Sequence, residues 1–212
     1  LEELRIAHPS DFVNNDHEEN TVLHLIARMP ISVAILDVIL HPCNCMYSGR
    51  IDSRNSMTDT ALSIAAEGAS VSVVSGLIDK GADVNDRGNL DKTPLHYACS
   101  HYIYPLDYPL DTKHVEQIIT ILLKNNANIN ARNVWCQTPL GYGVQAGLLG
   151  PVRLLLEHGA DMSMPMDRRS LIHSAIIASH GLPSTDAYTG IDMMELLIAY
   201  GAEMDTIYQG ET

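Results

Sequence analysis

Ten histidines and four cysteines are the residues of this 212-residue chain best suited to catalysis or metal binding. Three of the histidines follow a hydroxyl residue by three places, in Thr21-Val-Leu-His24, Thr93-Pro-Leu-His96 and Ser170-Leu-Ile-His173. Imidazole titrates near neutrality and ligates metals, so each is a candidate base or ligand. They belong to separate copies of one motif, however, and would lie in a row, too far apart to share a metal. Cys43-Asn-Cys45 suggests zinc, but structural zinc sites want a second pair at recognisable spacing, and Cys99 and Cys136 do not supply one. Gly141-x-Gly143-x-x-x-Gly147 is superficially a phosphate loop, which would require a preceding strand and a helix start facing the phosphate. These glycines fall inside a predicted helix instead, where each costs about 1 kcal/mol against alanine. No Gly-x-Ser-x-Gly elbow, His-Glu-x-x-His helix or lysine-bearing phosphate loop occurs. An enzyme built here would need a pocket joining His101 with Asp107 or Asp111, and no motif supports one. The expectation is a protein without catalytic residues, cofactor or metal.

Composition narrows the partner. The formal net charge is −13, which repels a phosphate backbone and removes the main electrostatic drive for nucleic-acid binding. No apolar run is long enough to span a bilayer, and the opening Leu-Glu-Glu-Leu-Arg lacks the regions of a signal peptide. Four cysteines outside any framework spacing read as reduced thiols, which points to an intracellular location, cytoplasmic or nuclear. Aromatic residues make up 5% of the chain, with one Trp and one Phe, fewer than a single large core would use. Thin layered cores fit better.

An internal repeat supplies those layers. Thr21-Val-Leu-His24, Thr60-Ala-Leu-Ser63, Thr93-Pro-Leu-His96, Thr138-Pro-Leu-Gly141 and Ser170-Leu-Ile-His173 begin 39, 33, 45 and 32 residues apart. Most are followed by an apolar stretch closing on glycine or asparagine. These stretches are Leu77-Ile-Asp-Lys-Gly81-Ala-Asp-Val-Asn85, Leu122-Leu-Lys-Asn-Asn126-Ala-Asn-Ile-Asn130, Leu155-Leu-Glu-His-Gly159-Ala-Asp-Met162 and Leu197-Ile-Ala-Tyr-Gly201-Ala-Glu-Met204. Thr caps a helix start, Pro suits the first helical position, and Gly provides the left-handed stop of a second helix. Each unit is thus a helical hairpin. Ala65, Ala66 and Ala98 let first helices approach one another, and Leu and Ile on the second helices fill the space between units.

These motifs resemble the ankyrin repeat, whose first helix opens Thr-Pro-Leu-His-x-Ala and whose second ends before Gly-Ala-Asp-Val-Asn; the likeness covers roughly residues 10 to 205. The chain departs from it at Ser63 and Gly141 in the histidine place, at Gly143 where alanine is usual, and in a short loop with Pro165 before Ser170. The resemblance implies an all-α solenoid of paired antiparallel helices with short β-hairpin-like loops, in one domain over 1–212. Its parts would be a partial leading helix at 1–9, repeats at 10–48, 49–82, 83–127, 128–160 and 161–202, and an incomplete next hairpin at 203–212. Insertions fall at His41 to Arg50, Tyr102 to Lys113 and Ser179 to Gly190. For the histidines the resemblance implies a structural role, bonding between the loops of adjacent units.

The resemblance also locates a binding face, since hairpin tips and the exposed sides of first helices would line a concave surface. Arg54, Arg87 and Arg132 hold equivalent hairpin places, a possible cationic row for carboxylates. Trp135 is the sole Trp and falls at a tip, where packing within the repeat does not require it. Trp and Arg are typical of interface hot spots. Met57, Leu90 and Val134 share the tips, with Lys92, His101, Gln137 and Gln145 nearby, alongside Asp59 and Glu67. Tyr104-Pro-Leu-Asp107 and Tyr108-Pro-Leu-Asp111 form a tandem too Pro-rich for helix, and Tyr104 and Tyr108 make it a candidate second contact loop. Asn85 and Asn130, each with a Leu eight residues earlier, resemble ankyrin asparagines that an oxygenase hydroxylates. The expected function is a monomeric protein-protein interaction scaffold. The alternative is the ankyrin targeting or regulatory segment of a larger multidomain enzyme or channel.

Overall fold

The computed structural model describes residues 20–28, 51–100, 112–163, 170–181 and 190–202. Their helices are α1 (Val22–Ala27), α2 (Ala61–Glu67), α3 (Val71–Asp79), α4 (Pro94–Cys99), α5 (Thr112–Lys124), α6 (Pro139–Gln145), α7 (Leu149–Glu157), α8 (Leu171–Gly181) and α9 (Gly190–Ala199). No strand occurs among the described residues, and Arg54 and Thr60 form an isolated antiparallel bridge. The described part is all-α. Its first helices stack α1–α2–α4–α6–α8 and its second helices stack α3–α5–α7–α9. The second helix of unit one and the insertion at 41–50 lie outside the described residues.

Local chemistry starts the first helices and stops the second helices as the motif requires. The Thr60 hydroxyl accepts from Ser63 N–H, and the Thr138 hydroxyl from Gly141 N–H, each at 3.3 Å. In α1 and α4 the third helical residue is His24 or His96, whose ring reaches back to the cap and completes a capping box. Pro94 and Pro139 take the first helical place, where a missing N–H costs nothing. The second helices end on Gly81, Gly159 and Gly201 at φ of 94°, 81° and 92°, and on Asn126 at 65°. Asparagine is the next-best occupant of that left-handed position. Leu77, Leu122, Leu155 and Leu197, the same place in four second helices, are fully buried between the layers.

Two boundaries differ from the sequence reading. Gly147 is not helical: α6 stops at Gln145, and Gly147, at φ 69°, makes the turn into α7. Gly143 is helical but serves packing, because a Cβ there would lie 3.0 Å from Val152 Cγ2 on α7. Helix takes up the edges of two insertions, since α5 begins at Thr112 and α8 runs on to Gly181.

Candidate partner-binding face

The hairpins of units two, three and four align residue for residue. Arg54, Arg87 and Arg132 are followed three places later by Met57, Leu90 and Trp135, and then by Thr58, Asp91 and Cys136. The last three adopt φ of 65°, 58° and 59°, and Leu90 itself sits at 58°. A left-handed residue with a Cβ is strained by roughly 1–2 kcal/mol. Cys136→Gly should therefore raise stability by about 1 kcal/mol after the entropic cost of glycine. Urea unfolding would show it as a higher midpoint; an unchanged or lower midpoint would mean that the turn is not strained.

Polar side chains hold these tips in shape. Asn133 Oδ1 accepts from the N–H groups of Trp135 and Gln137, both at 2.9 Å, and Asn55 does the same for Met57 and Asp59 at 3.0 Å. Unit three has Gly88 in that place, and the carboxylate of Asp59, from unit two, substitutes for the missing side chain. It accepts from Asn89 N–H at 3.0 Å and from the Tyr97 hydroxyl, and a Cβ on Gly88 would lie 2.8 Å from its Oδ1. Asp59, a candidate contact in the sequence, is thus turned inward, and burial with this bond pushes the Tyr97 phenol upward.

The arginines link neighbouring hairpins. Arg54 donates through Nη1 to the carbonyls of Thr58 and Arg87 and through Nη2 to Asp86 at 2.5 Å. Arg87 Nη1 donates to the Arg132 carbonyl at 2.9 Å, with Asp91 3.8 Å away. Two members of the expected cationic row are therefore engaged within the stack. A second ladder runs beside it: the side-chain oxygens of Asp52, Asn85 and Asn130 accept from Asp83, Asn128 and Asp161 N–H at 3.1, 2.7 and 2.9 Å. Both asparagines proposed for hydroxylation thus bridge units, and Asn85 Nδ2 also donates to the Asn126 carbonyl.

A third ladder carries the motif histidines. His24 and His96 are fully buried. Each accepts at Nδ1 from the N–H of its own cap, Thr21 or Thr93, at 3.1 Å, and donates from Nε2 to the next hairpin. The acceptors are the carbonyls of Asp59 at 2.9 Å and Gln137 at 3.0 Å. Burial disfavours the imidazolium, so both titrate below the usual value, His96 at about 4. These are neutral connectors, as the resemblance implied.

The tips also turn apolar side chains to solvent. Met57, Leu90, Val134 and Trp135 are 38–53% exposed, and the tips of units three and four are joined where Val134 N–H donates to the Leu90 carbonyl at 3.1 Å. Behind them the Lys92 ammonium lies 5.3 Å from the ring centres of both Tyr97 and Tyr142, a cation shared between units three and four. Gln137 is half-buried and Gln145 exposed. Burial raises the Glu67 carboxyl, which sits close enough to Lys92 to be partly offset by it. Ile177, exposed in the place of Glu67 and Gln145, was missed, although its register was readable from the repeat. His101, Tyr104 and Tyr108 lie outside the described residues. Among the described residues no group of three or more His, Cys, Asp or Glu is assembled for a metal, and no helix is long and apolar enough to cross a membrane.

The family model for ankyrin repeats in three copies matches residues 23–105, and that for the single ankyrin repeat matches 91–134. The ankyrin repeat protein FPV244 of fowlpox virus is 31% identical over 185 residues, which is 83% of this chain and 24% of the viral protein. The mouse B-cell lymphoma 3 protein homolog is 24% identical across 93% of this chain and 40% of its own length. The Drosophila Neurogenic locus Notch protein is 35% identical over 49% of this chain and 3% of its own. The chain spans less than half the length of each. Capped helical pairs and left-handed stops recur in step with these matches, and the chain belongs to the ankyrin repeat family.

Proposed function

We propose that the protein is a non-catalytic scaffold that holds a partner protein on the fingertips and first-helix surfaces of units two to five. Ankyrin repeats generally mediate protein-protein interaction. The observation that carries this reading is the set of exposed apolar side chains Met57, Leu90 and Trp135 at matching places on three consecutive hairpins, with Val134 exposed beside Trp135. Exposed aromatic and apolar groups on braced loops cost little entropy to bury, which is what a hot spot needs. Gln137, Gln145 and Lys92 supply a polar margin, and Arg132 the outermost cation of the row. Arg54 and Arg87 contribute by fixing the tips. Asn85 and Asn130 remain proposed hydroxylation acceptors, checked by the mass of one added oxygen on their peptides. The chain is expected to be monomeric and intracellular, with Tyr104 and Tyr108 as a second contact loop.

Capture from a cell lysate with the parent chain and its Trp135→Ala variant tests the face. Once a captured protein is identified, its affinity for Trp135→Ala should fall by about 2 kcal/mol or more, roughly thirtyfold. A change below about 0.5 kcal/mol would remove Trp135 from the site. The second reading, a targeting or regulatory segment of a larger multidomain enzyme or channel, draws on the short share of each relative that this chain spans. Failure to capture any protein would favour it.

A further inference from the structure

Two positions recur along the face that carries the tips: the residue just before each helix cap and the residue seven places after that cap. The first is Asp59, Lys92 and Gln137 in units two, three and four. The second is Glu67, Ser100, Gln145 and Ile177 in units two to five. Chemistry is therefore graded along the stack, with carboxylates on unit two, an ammonium on unit three, amides on unit four and an exposed isoleucine on unit five.

The ammonium is held in place without being neutralised. Lys92 is half-buried, with Nζ 5.3 Å from the ring centres of Tyr97 and Tyr142. Both rings are themselves braced at the hydroxyl: Tyr97 donates to Asp59, and Tyr142 accepts from Asn133 Nδ2 at 3.0 Å. Ring faces attract a cation by about 0.5–2 kcal/mol and leave its net charge intact. Among the described residues no carboxylate lies within ion-pair distance of Lys92. Arg54 and Arg87, the neighbouring cations, are by contrast taken up by Asp86 and by hairpin carbonyls. The Asp59 carboxylate is likewise occupied, by Asn89 N–H and the Tyr97 hydroxyl.

We propose that Lys92 anchors a carboxylate of the partner, an Asp or Glu side chain on a segment that also presents a large apolar side chain to Trp135. This rests on the reading that the tip face holds a partner protein, and it names the chemistry that the partner brings. Charge order selects the carboxylate, because Lys92 is flanked on the unit-four side by the neutral Gln137 and Gln145, so an acid can approach there away from Asp59 and Glu67. Order in the lysine favours it too, since a stem already held against two rings has little rotamer freedom left to lose on binding. Packed helices lie about 8–10 Å apart and an extended chain advances about 3.3 Å per residue. The acid and the apolar residue of an extended partner segment would thus stand about three places apart.

The probe is a random-peptide phage library selected on the full chain. Retained peptides should share an Asp or Glu close in sequence to a Trp, Phe, Leu or Ile. For such a peptide Lys92→Met, which keeps an apolar stem against the rings, should weaken binding roughly tenfold, and converting the peptide's acid to its amide should lose as much. The two changes together should lose no more than either alone, and Lys92→Arg should keep the binding. Where Lys92→Met lowers the melting temperature, the amide peptide on the parent chain carries the test by itself. Peptides rich in Lys or Arg, or peptides that depend on Trp135 and are indifferent to Lys92→Met, overturn the anchor and leave the face standing. Peptides indifferent to Lys92→Met and to Trp135→Ala overturn the face as well. A selection that retains no peptide overturns the anchor on a linear segment, while lysate capture through Trp135 remains the separate test of the face.

Discussion

Replacing His96 by alanine should destabilise the protein by about 3–4 kcal/mol, the largest loss expected from any single polar side chain in the described stack. The ring, itself fully buried, accepts from the Thr93 N–H and hydroxyl at 3.1 and 2.9 Å and donates to the Gln137 carbonyl at 3.0 Å. Truncation orphans a buried donor and a buried acceptor at roughly 1–3 kcal/mol each, and it empties the space against the edge of the Tyr142 ring, 5.6 Å away. Because each unit touches only its neighbours, the damage falls on the junction of units three and four and uncouples the two halves of the array. Thermal unfolding should start roughly 10 °C lower. His173→Ala is the control: the same motif position, exposed, should cost below about 0.5 kcal/mol. Equal losses from the two substitutions would show that the inter-unit bond contributes nothing.

That contrast between two identical motif positions separates what the sequence discloses from what it does not. Helix starts were legible because Thr60, Thr93 and Thr138 act locally, within one turn of their own chain. Helix ends were legible because a left-handed stop favours Gly81, Gly159 and Gly201. The burial of Leu77, Leu122 and Leu155 followed from their recurrence at one place. The exposed tips Met57, Leu90 and Trp135 were readable for the same reason, from register alone. The functions of Arg54, Arg87 and Asp59 were not legible, since their partners in the next hairpin lie 32, 45 and 30 residues away. A guanidinium aligned with its counterparts looks like a row offered to solvent until the neighbouring carbonyls are placed. Asp59 was harder still, because its role depends on an absence: Gly88 leaves a gap that only a neighbouring unit can fill. Gly143 was read as a weak point in a helix, whereas its lack of a Cβ lets Val152 approach.

Acid should weaken the stack through the same imidazoles. In the folded protein His96 titrates at about 4 and in the unfolded chain near 6.5, so below neutrality the unfolded state binds the extra proton. The stability this group supplies is complete above pH 6.5 and is lost progressively as pH falls from there to 4. The full loss is about 3 kcal/mol at 1.36 kcal/mol per unit. His24, lowered for the same reason of burial, adds to the slope with the same sign. Glu67 and Asp86 oppose it, because burial raises their carboxyls and the folded state then takes up protons more readily than the unfolded one. The comparison that isolates the imidazole is therefore parent against His96→Gln, which keeps both carboxylates and removes one titrating ring. Urea midpoints measured from pH 7.5 down to pH 4.5 should converge, with most of the parent's advantage gone at the acid end. Parallel curves across that range would mean that His96 does not hold its neutral form in the folded array. The connection between units three and four would then rest on helix packing, the Asn85 and Arg87 bonds, Lys92 between the two tyrosine rings and the Val134–Leu90 backbone bond.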